Sequence, residues 1–427
     1  MAESACIKEF IMTQALNFKR TKLACYAAYF TMSSVFCIPP LLFVTLRETY
    51  GISYTLLGTL VLVNFDTQLG VDLICTFFSK YINTKIIVRV MPLITTLGMS
   101  VYALIPTFFP SFAYGGLVIG TVIFSLSAGL SEALLSPVMA TIPSDNPQRD
   151  MSFLHSLYAF GVLTMVVIGT LFIKLFGAEN WMLLMLFLAL LPVISAVLFA
   201  ISPMPDMDSH GSSDGAKGTK RRAVGLSLCV GCIFFGSCAE NGMSNWISGF
   251  MELALHIDKT LGDVLGVAMF AVLLGAVRIW YAGYGKNIAK VLLIGMAGSV
   301  VCYLVAGLVG GSVVPLIACV LVGLFSGLLW PGTLILMEEK LPGMGVTAYA
   351  FMAAGGDLGA SVSPQLIGIM ADKVAAYADR TGLAAARGLT PDQVGMKAGI
   401  LLNAVFPFLG IFAVLAIMRY FRKEQAA

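Results

Sequence analysis

Twelve apolar runs, each long enough to cross a bilayer, follow one another along the 427 residues. Inside a hydrocarbon core every backbone N–H and C=O must find its partner within the protein, so runs of this length fold as helices. A crossing takes ~20 residues. With soft boundaries the runs are Thr21–Leu46, Tyr54–Phe78, Val88–Phe109, Ala113–Ile142, Phe153–Phe176 and Asn180–Ser202, then Ala223–Leu255, Val264–Tyr284, Ile288–Val309, Val313–Met337, Val346–Ala371 and Lys397–Tyr420. Hydrophobic residues make up 58% and charged residues 11%, against roughly 45–50% and 25% in soluble domains. The expected fold class is therefore an all-α integral membrane protein of twelve transmembrane helices.

One polar stretch interrupts this pattern. Pro203–Arg222, PMPDMDSHGSSDGAKGTKRR, is rich in Gly, Ser and charge, which marks a solvated linker. It divides the chain into a six-helix half at 1–202, the linker at 203–222 and a second six-helix half at 223–427. Weak internal repeats relate the halves. Gly70-Val71-Asp72 before Lys80 has the layout of Ala276-Val277-Arg278 before Lys286. Ala-Gly-Leu precedes Glu132 as Ser-Gly-Leu precedes Trp330.

The placement of charge predicts orientation. With the N-terminus cytoplasmic, eighteen of the 26 Lys and Arg fall on that side, in the terminal stretches, the short loops and the linker. The positive-inside bias then puts both termini and the linker in the cytoplasm. The first apolar run follows Lys19, Arg20 and Lys22 and is long enough to span, so no cleavable signal is expected. No Asn-x-Ser/Thr sequon occurs, which points to a bacterial inner membrane. The long segment between the last two runs, Asp372 to Met396, is rich in Ala and expected to be helical.

Several function classes fall away. A net charge of +3 offers nothing to nucleic acid. Cys229 and Cys232 form a CxxC with no second pair at metal spacing, so they read as small packing residues and no metal is expected. Three histidines, His155, His210 and His256, lie in separate regions and build no nucleophile–base pair, which argues against an enzyme and against a cofactor. No GxxxxGK[ST] loop is present. Two further readings stay open: an exporter of hydrophobic compounds, and a membrane enzyme or lipid-handling protein.

The carboxylates within the apolar runs point to the chemistry. A bare acid at mid-bilayer costs ~2.5–3.5 kcal/mol on insertion scales and is functional by default. Glu132 sits in the fourth run, where Ser125, Gly129, Glu132 and Ser136 share one small, polar helix face. Glu240 lies mid-run in the seventh, in GSCAENGMSNWISGF, with Asn241, Asn245 and Trp246 nearby. Asp357 stands in AAGGDLGASVSP of the eleventh. These three are the candidate proton-coupling groups, because burial raises a carboxylate pKa toward neutrality.

In the second run Asn64, Gln68 and Asp72 form one stripe and Asp66 lies roughly 160° from its middle, so the two acids cannot both face a cavity. The stripe amides join Tyr29, Asn241, Asn245, Trp246 and Trp330 as candidate substrate-binding residues. Asp66, Asp72, His155 and Arg278 are candidate gating or structural residues. His155 opens the fifth run. Arg278 ends the eighth and is expected to snorkel to the cytoplasmic surface.

The acid-bearing fourth span, the polar loop ending in Asp150, the Leu154-His155 start of the fifth and its Ala159-Phe160-Gly161 resemble helices 4 and 5 of the major facilitator superfamily, in its fucose–proton symporter-like branch. The Glu240-to-Trp246 stretch and the Gly355-Gly356 with Pro364 resemble that branch's helices 7 and 11. One departure is clear: Leu23 to Leu46 holds no acid to pair with Glu132. The resemblance implies a twelve-helix secondary transporter working by alternating access, coupled to protons and moving a small polar metabolite such as a sugar or a related solute. The lipid bilayer, the solute and protons are its expected partners, and a monomer its expected state.

Overall fold

The computed structural model describes residues 18–425 apart from 79–80, 82, 146, 206–219, 285 and 342–345. Most of the Pro203–Arg222 linker thus lies outside the described residues. Helices occupy the apolar runs in the expected order, and no strand occurs among the described residues. Eleven of them are long and apolar enough to cross a membrane. The remaining one, Val346–Arg380, spans 35 residues, and the Gly355-Gly356-Asp357 stretch lowers its hydropathy.

Prolines and glycines decide where helices break. The first span runs Lys19–Leu41, stops after Pro39 and Pro40, and resumes as Phe43–Tyr50. Proline brings no N–H and crowds the preceding turn, so consecutive prolines interrupt the ladder. Gly51, at φ 65, closes this piece in the left-handed conformation that a side chain would resist. The tenth span is likewise two pieces, Val313–Ser326 and Leu329–Lys340. Pro331 has no N–H to offer the carbonyl of Gly327 four residues earlier, which leaves that oxygen free for another donor. The eighth span starts earlier than expected, at Lys259–Gly262, and passes through a wide turn at Asp263–Ala268 before Met269–Tyr284. Beyond Arg380 the chain makes a short helix, Leu383–Ala386, and Thr390 and Gln393 form a capping box for Pro391–Asn403, which continues the twelfth span with Val405–Gln425.

Over the described residues the chain packs as two compact units. One holds Met1–Ile38, Gly70–Met165 and Asn180–Gly211; the other holds Pro39–Leu69, Val166–Glu179 and Ser212–Ala427. This partition by packing is drawn differently from the division at the linker, because Pro39–Leu69 and Val166–Glu179 have their partners among second-half helices.

In the first unit the third span, Thr84–Phe108, lies along the fourth, Ala113–Thr141, through small residues. A Cβ on Gly120 would stand 2.6 Å from Tyr102 Cα, and one on Gly98 would fall on the Phe124 backbone. Backbones that close admit no side chain. Thr95 Oγ1 donates to Ser127 Oγ at 2.7 Å across the same seam. Around it Met91, Met99, Tyr102 and Trp181 are buried. Lys22 at the start of the first span pairs with Asp150 at the start of the fifth.

In the second unit the eleventh span is the hub. It meets the seventh, Lys220–Leu253, where Gly359 faces the Phe234 carbonyl, and the twelfth, where Gly399 faces Ile367. Ser363 Oγ donates to Cys238 O at 2.9 Å, as does Asn403 Nδ2 at 3.1 Å. The second span, Tyr54–Phe78, starts against the same helix: Asp372 accepts the amides of Tyr54 at 3.0 Å and Thr55 at 2.6 Å. A carboxylate on two bare N-terminal amides is a helix cap supplied from another helix.

Candidate functional site

Each unit holds one polar constellation at mid-helix depth. In the first, Glu132 projects from the middle of the fourth span and its side chain is exposed rather than packed away. Tyr29 of the first span, 4% exposed, is hydrogen-bonded to Ser136 and lies within electrostatic reach of Glu132. Asp72 of the second span also acts on Glu132 through its charge. Four residues that sequence spacing alone left on three separate helices, Tyr29, Asp72, Glu132 and Ser136, thus share one site. The opposite flank of the fourth span is committed to packing: Ser127 and Ser131 point to Met91 of the third.

The second span resolves as the helical wheel requires. Asn64 and Gln68 are buried, at 7% and 2%, and Gln68 Nε2 donates to Asn64 Oδ1 at 3.0 Å. Asp72, on the same stripe, acts on Glu132 through its charge, whereas Asp66 is exposed on the other face.

In the second unit Arg278 contacts two groups on neighbouring helices. Its Nε donates to the Gly327 carbonyl at 2.8 Å, and a terminal nitrogen lies 3.3 Å from Glu240 Oε1. The side chain remains 41% exposed beyond these contacts. Pro331 leaves the Gly327 oxygen without its helical donor, and a guanidinium fork can hold that oxygen and a carboxylate together. Glu240 Oε2 is buried without a hydrogen-bond partner among the described residues. Below the pair on the same helix, Asn241 Nδ2 donates to Ser237 O at 3.2 Å and Asn245 Nδ2 to Asn241 O at 2.9 Å.

The other candidates take different places. Asp357 is buried at 8%, and a Cβ on its neighbour Gly356 would run into the Trp330 ring, so Trp330 lies against the eleventh span beside that acid. Trp246 is 1% exposed; its Nε1 donates to Pro364 O at 2.9 Å and its ring centroid lies 5.2 Å from that of Phe43. In this arrangement the ring is packed and its N–H is taken. His155 falls within the fifth helix, Pro147–Phe176, but its side chain lies outside the described residues. Cys229 and Cys232 are buried, and Cys232 Sγ is 3.6 Å from Thr333 Oγ1. No group of three metal-ligating side chains occurs among the described residues.

Sequence reasoning missed one cluster. Asp263, 1% exposed, accepts from Ser248 Oγ at 2.5 Å and Thr170 Oγ1 at 3.2 Å, and Lys259 stands 3.8 Å from it. Lys259 also lies 3.4 Å from Glu252 and donates to Leu41 O at 3.0 Å. Three charges and one helix break are thereby tied to spans one, five, seven and eight. Lys259 and Asp263 stand four apart, a helical pair spacing, and that was the available signal. Arg47 and Asp392, 3.0 Å apart, add a second ion pair between the ends of the first and twelfth spans.

The chain matches the family model of the Major Facilitator Superfamily over residues 24–364. No curated protein sequence matches it significantly. Among solved structures it is similar to a D-xylose–proton symporter, at 13% identity and a TM-score of 0.76, covering 95% of this chain and 98% of that one. It is similar to a bacterial homolog of the human lysosomal transporter Spinster, captured inward-facing and occupied, at 13% identity, a TM-score of 0.73 and coverage of 95% and 98%. The E. coli fucose:proton symporter matches at 14% identity, a TM-score of 0.55 and coverage of 92% and 99%. The twelve-helix fold is common to them, and the chain belongs to the Major Facilitator Superfamily.

Proposed function

We propose that the protein is a proton-coupled secondary transporter of a small polar metabolite, a sugar or a related solute, working by alternating access. The observation that carries this reading is the Glu132 site. A carboxylate at mid-helix depth, standing at the helix surface and flanked by Tyr29, Ser136 and Asp72, has the polar partners that proton loading and release require. The Glu240–Arg278 pair is the complementary site: a carboxylate held by a guanidinium, with one oxygen unpartnered, can exchange partners when a proton or a solute hydroxyl arrives. Asn241 and Asn245 supply amides for solute recognition, as do Asn64 and Gln68. Trp330, packed at Gly356, and the adjacent Asp357 are further candidates. The xylose and fucose symporters named above are proton-coupled sugar carriers by name, which is consistent with this solute class. In this reading the halves 1–202 and 223–427 alternate about the linker, the protein is a monomer in a bacterial inner membrane, and both termini are cytoplasmic.

Replacing Glu132 by Gln keeps shape and hydrogen-bonding groups but removes the titrating proton. In proteoliposomes Glu132→Gln should abolish accumulation against a gradient and leave counterflow exchange intact. Glu240→Gln is the comparison. If Glu132→Gln still concentrates solute and Glu240→Gln does not, the proton site lies on the seventh span; if both concentrate it, coupling through these acids is refuted.

A further inference from the structure

We infer that the second unit carries a binding site for the phosphate headgroup of an anionic phospholipid, at the membrane boundary where the ninth and tenth spans meet. A cavity of about 480 Å³ opens where the ninth span ends and the tenth begins. Its lining includes His256, Arg387 and Lys397 and contains no Asp or Glu. Two permanent cations and one imidazole therefore face a space with no compensating carboxylate. Among the described residues the side chains of Arg387 and His256 make no hydrogen bond or ion pair.

The carbonyls around the cavity are already taken. Gln393 Nε2 donates to Ala254 O at 3.1 Å, Ser312 Oγ to Leu255 O at 2.8 Å, and Lys397 Nζ to Val309 O at 3.1 Å. Lys397 keeps two further N–H groups. Gly310 and Gly311 form the rim between the two helices; Gly311 sits at φ 76, and a Cβ on either would meet nothing within 4 Å. The amides of this turn are not consumed by turn hydrogen bonds among the described residues. The cavity thus presents donors and positive charge to its occupant and offers it few acceptors. That matches a tetrahedral oxyanion and mismatches a cation or a neutral sugar.

Depth selects the source. Leu308 and Val313, the last and first residues of the adjoining spans, are each 67% exposed and border the site. Apolar side chains facing outward beside a cationic recess suit a molecule with a phosphate and acyl chains, and clustered Lys and Arg at this depth attract anionic headgroups. Arg387 and His256 are the recognition groups. Lys397 both holds the loop and contributes charge.

The full-length protein, purified in a mild detergent, is titrated with phosphatidylglycerol and with phosphatidylcholine of the same acyl chains, and bound lipid is read by native mass spectrometry. Phosphatidylglycerol should bind the tightest site preferentially, Arg387→Gln should weaken it about fivefold, and Arg387→Lys should restore most of the loss. Arg387 is exposed and partnerless, so the variants fold as the parent does. Equal binding of the two lipids, or unchanged phosphatidylglycerol binding by Arg387→Gln, overturns the assignment. Displacement of phosphatidylglycerol by millimolar inorganic phosphate also overturns it, since the cavity would then serve a free anion.

Discussion

Arg278 and Glu240 form a pair whose strength can be worked from the geometry and measured. At 3.3 Å, two unit charges attract by ~2.5 kcal/mol in a medium of effective dielectric ~40, between the values of ~20 for protein surfaces and ~80 for water. That medium is appropriate because the Arg278 side chain is 41% exposed while Glu240 is 18% exposed. Desolvation and screening reduce the net coupling to ~1–2 kcal/mol. The two single variants are not equivalent. Glu240→Gln leaves the guanidinium anchored to the Gly327 carbonyl at 2.8 Å. Arg278→Gln strands a carboxylate that already has one unpartnered oxygen, so it should be the more destabilising of the two. The assay is a double-mutant cycle of reversible unfolding in mixed micelles, with Arg278→Gln, Glu240→Gln and both together. The double variant should lose ~1–2 kcal/mol less than the sum of the singles, about 5- to 30-fold in the unfolding constant. Additivity within ~0.5 kcal/mol, or a larger loss from Glu240→Gln than from Arg278→Gln, would refute the pairing.

Three further outcomes are expected. Gly98→Ala puts a methyl group on the Phe124 backbone and should cost ~1–3 kcal/mol of stability, whereas Gly70→Ala, where a Cβ meets nothing within 4 Å, should melt like the parent. Trp246→Phe loses the 2.9 Å bond to Pro364 O and should lower stability by ~1–3 kcal/mol with KM unchanged; a raised KM at unchanged stability would return Trp246 to the solute site. On a cysteine-free background, Ala385→Cys should react with an impermeant maleimide from outside intact cells and Ser212→Cys should not; the opposite pattern inverts the orientation.

The apolar runs were legible because helix formation in a bilayer depends on local composition alone. Tyr54–Phe78 is the helix the residues predict, end to end, and Ala113–Thr141 and Ile288–Leu308 differ from expectation by one residue at one end. The breaks were harder to read, although Pro39-Pro40 and Pro331 were in view, since a proline in a membrane helix is often tolerated. The start of the eighth span at Lys259 was hidden for another reason. Charged residues there are sheltered by partners on three other spans, which no local hydropathy records. Arg278 shows the same limit: its direction is set by a carbonyl that Pro331 has freed on a different helix. Helical periodicity did carry the stripe of Asn64, Gln68 and Asp72, but only tertiary packing brings Tyr29 and Asp72 to Glu132.

The cap that Asp372 lends to Tyr54 and Thr55 makes those two amides natural reporters. A helix that caps itself frays on its own schedule; here protection against deuterium exchange depends on a carboxylate from the eleventh span staying in place. Two charge-assisted bonds worth ~3–6 kcal/mol together correspond to an opened fraction of roughly one in a hundred and fifty to about one in twenty-five thousand. Exchange at two adjacent backbone positions would then count, without any label, how often the start of the second span parts from the eleventh, and a solute that holds them together would slow that clock.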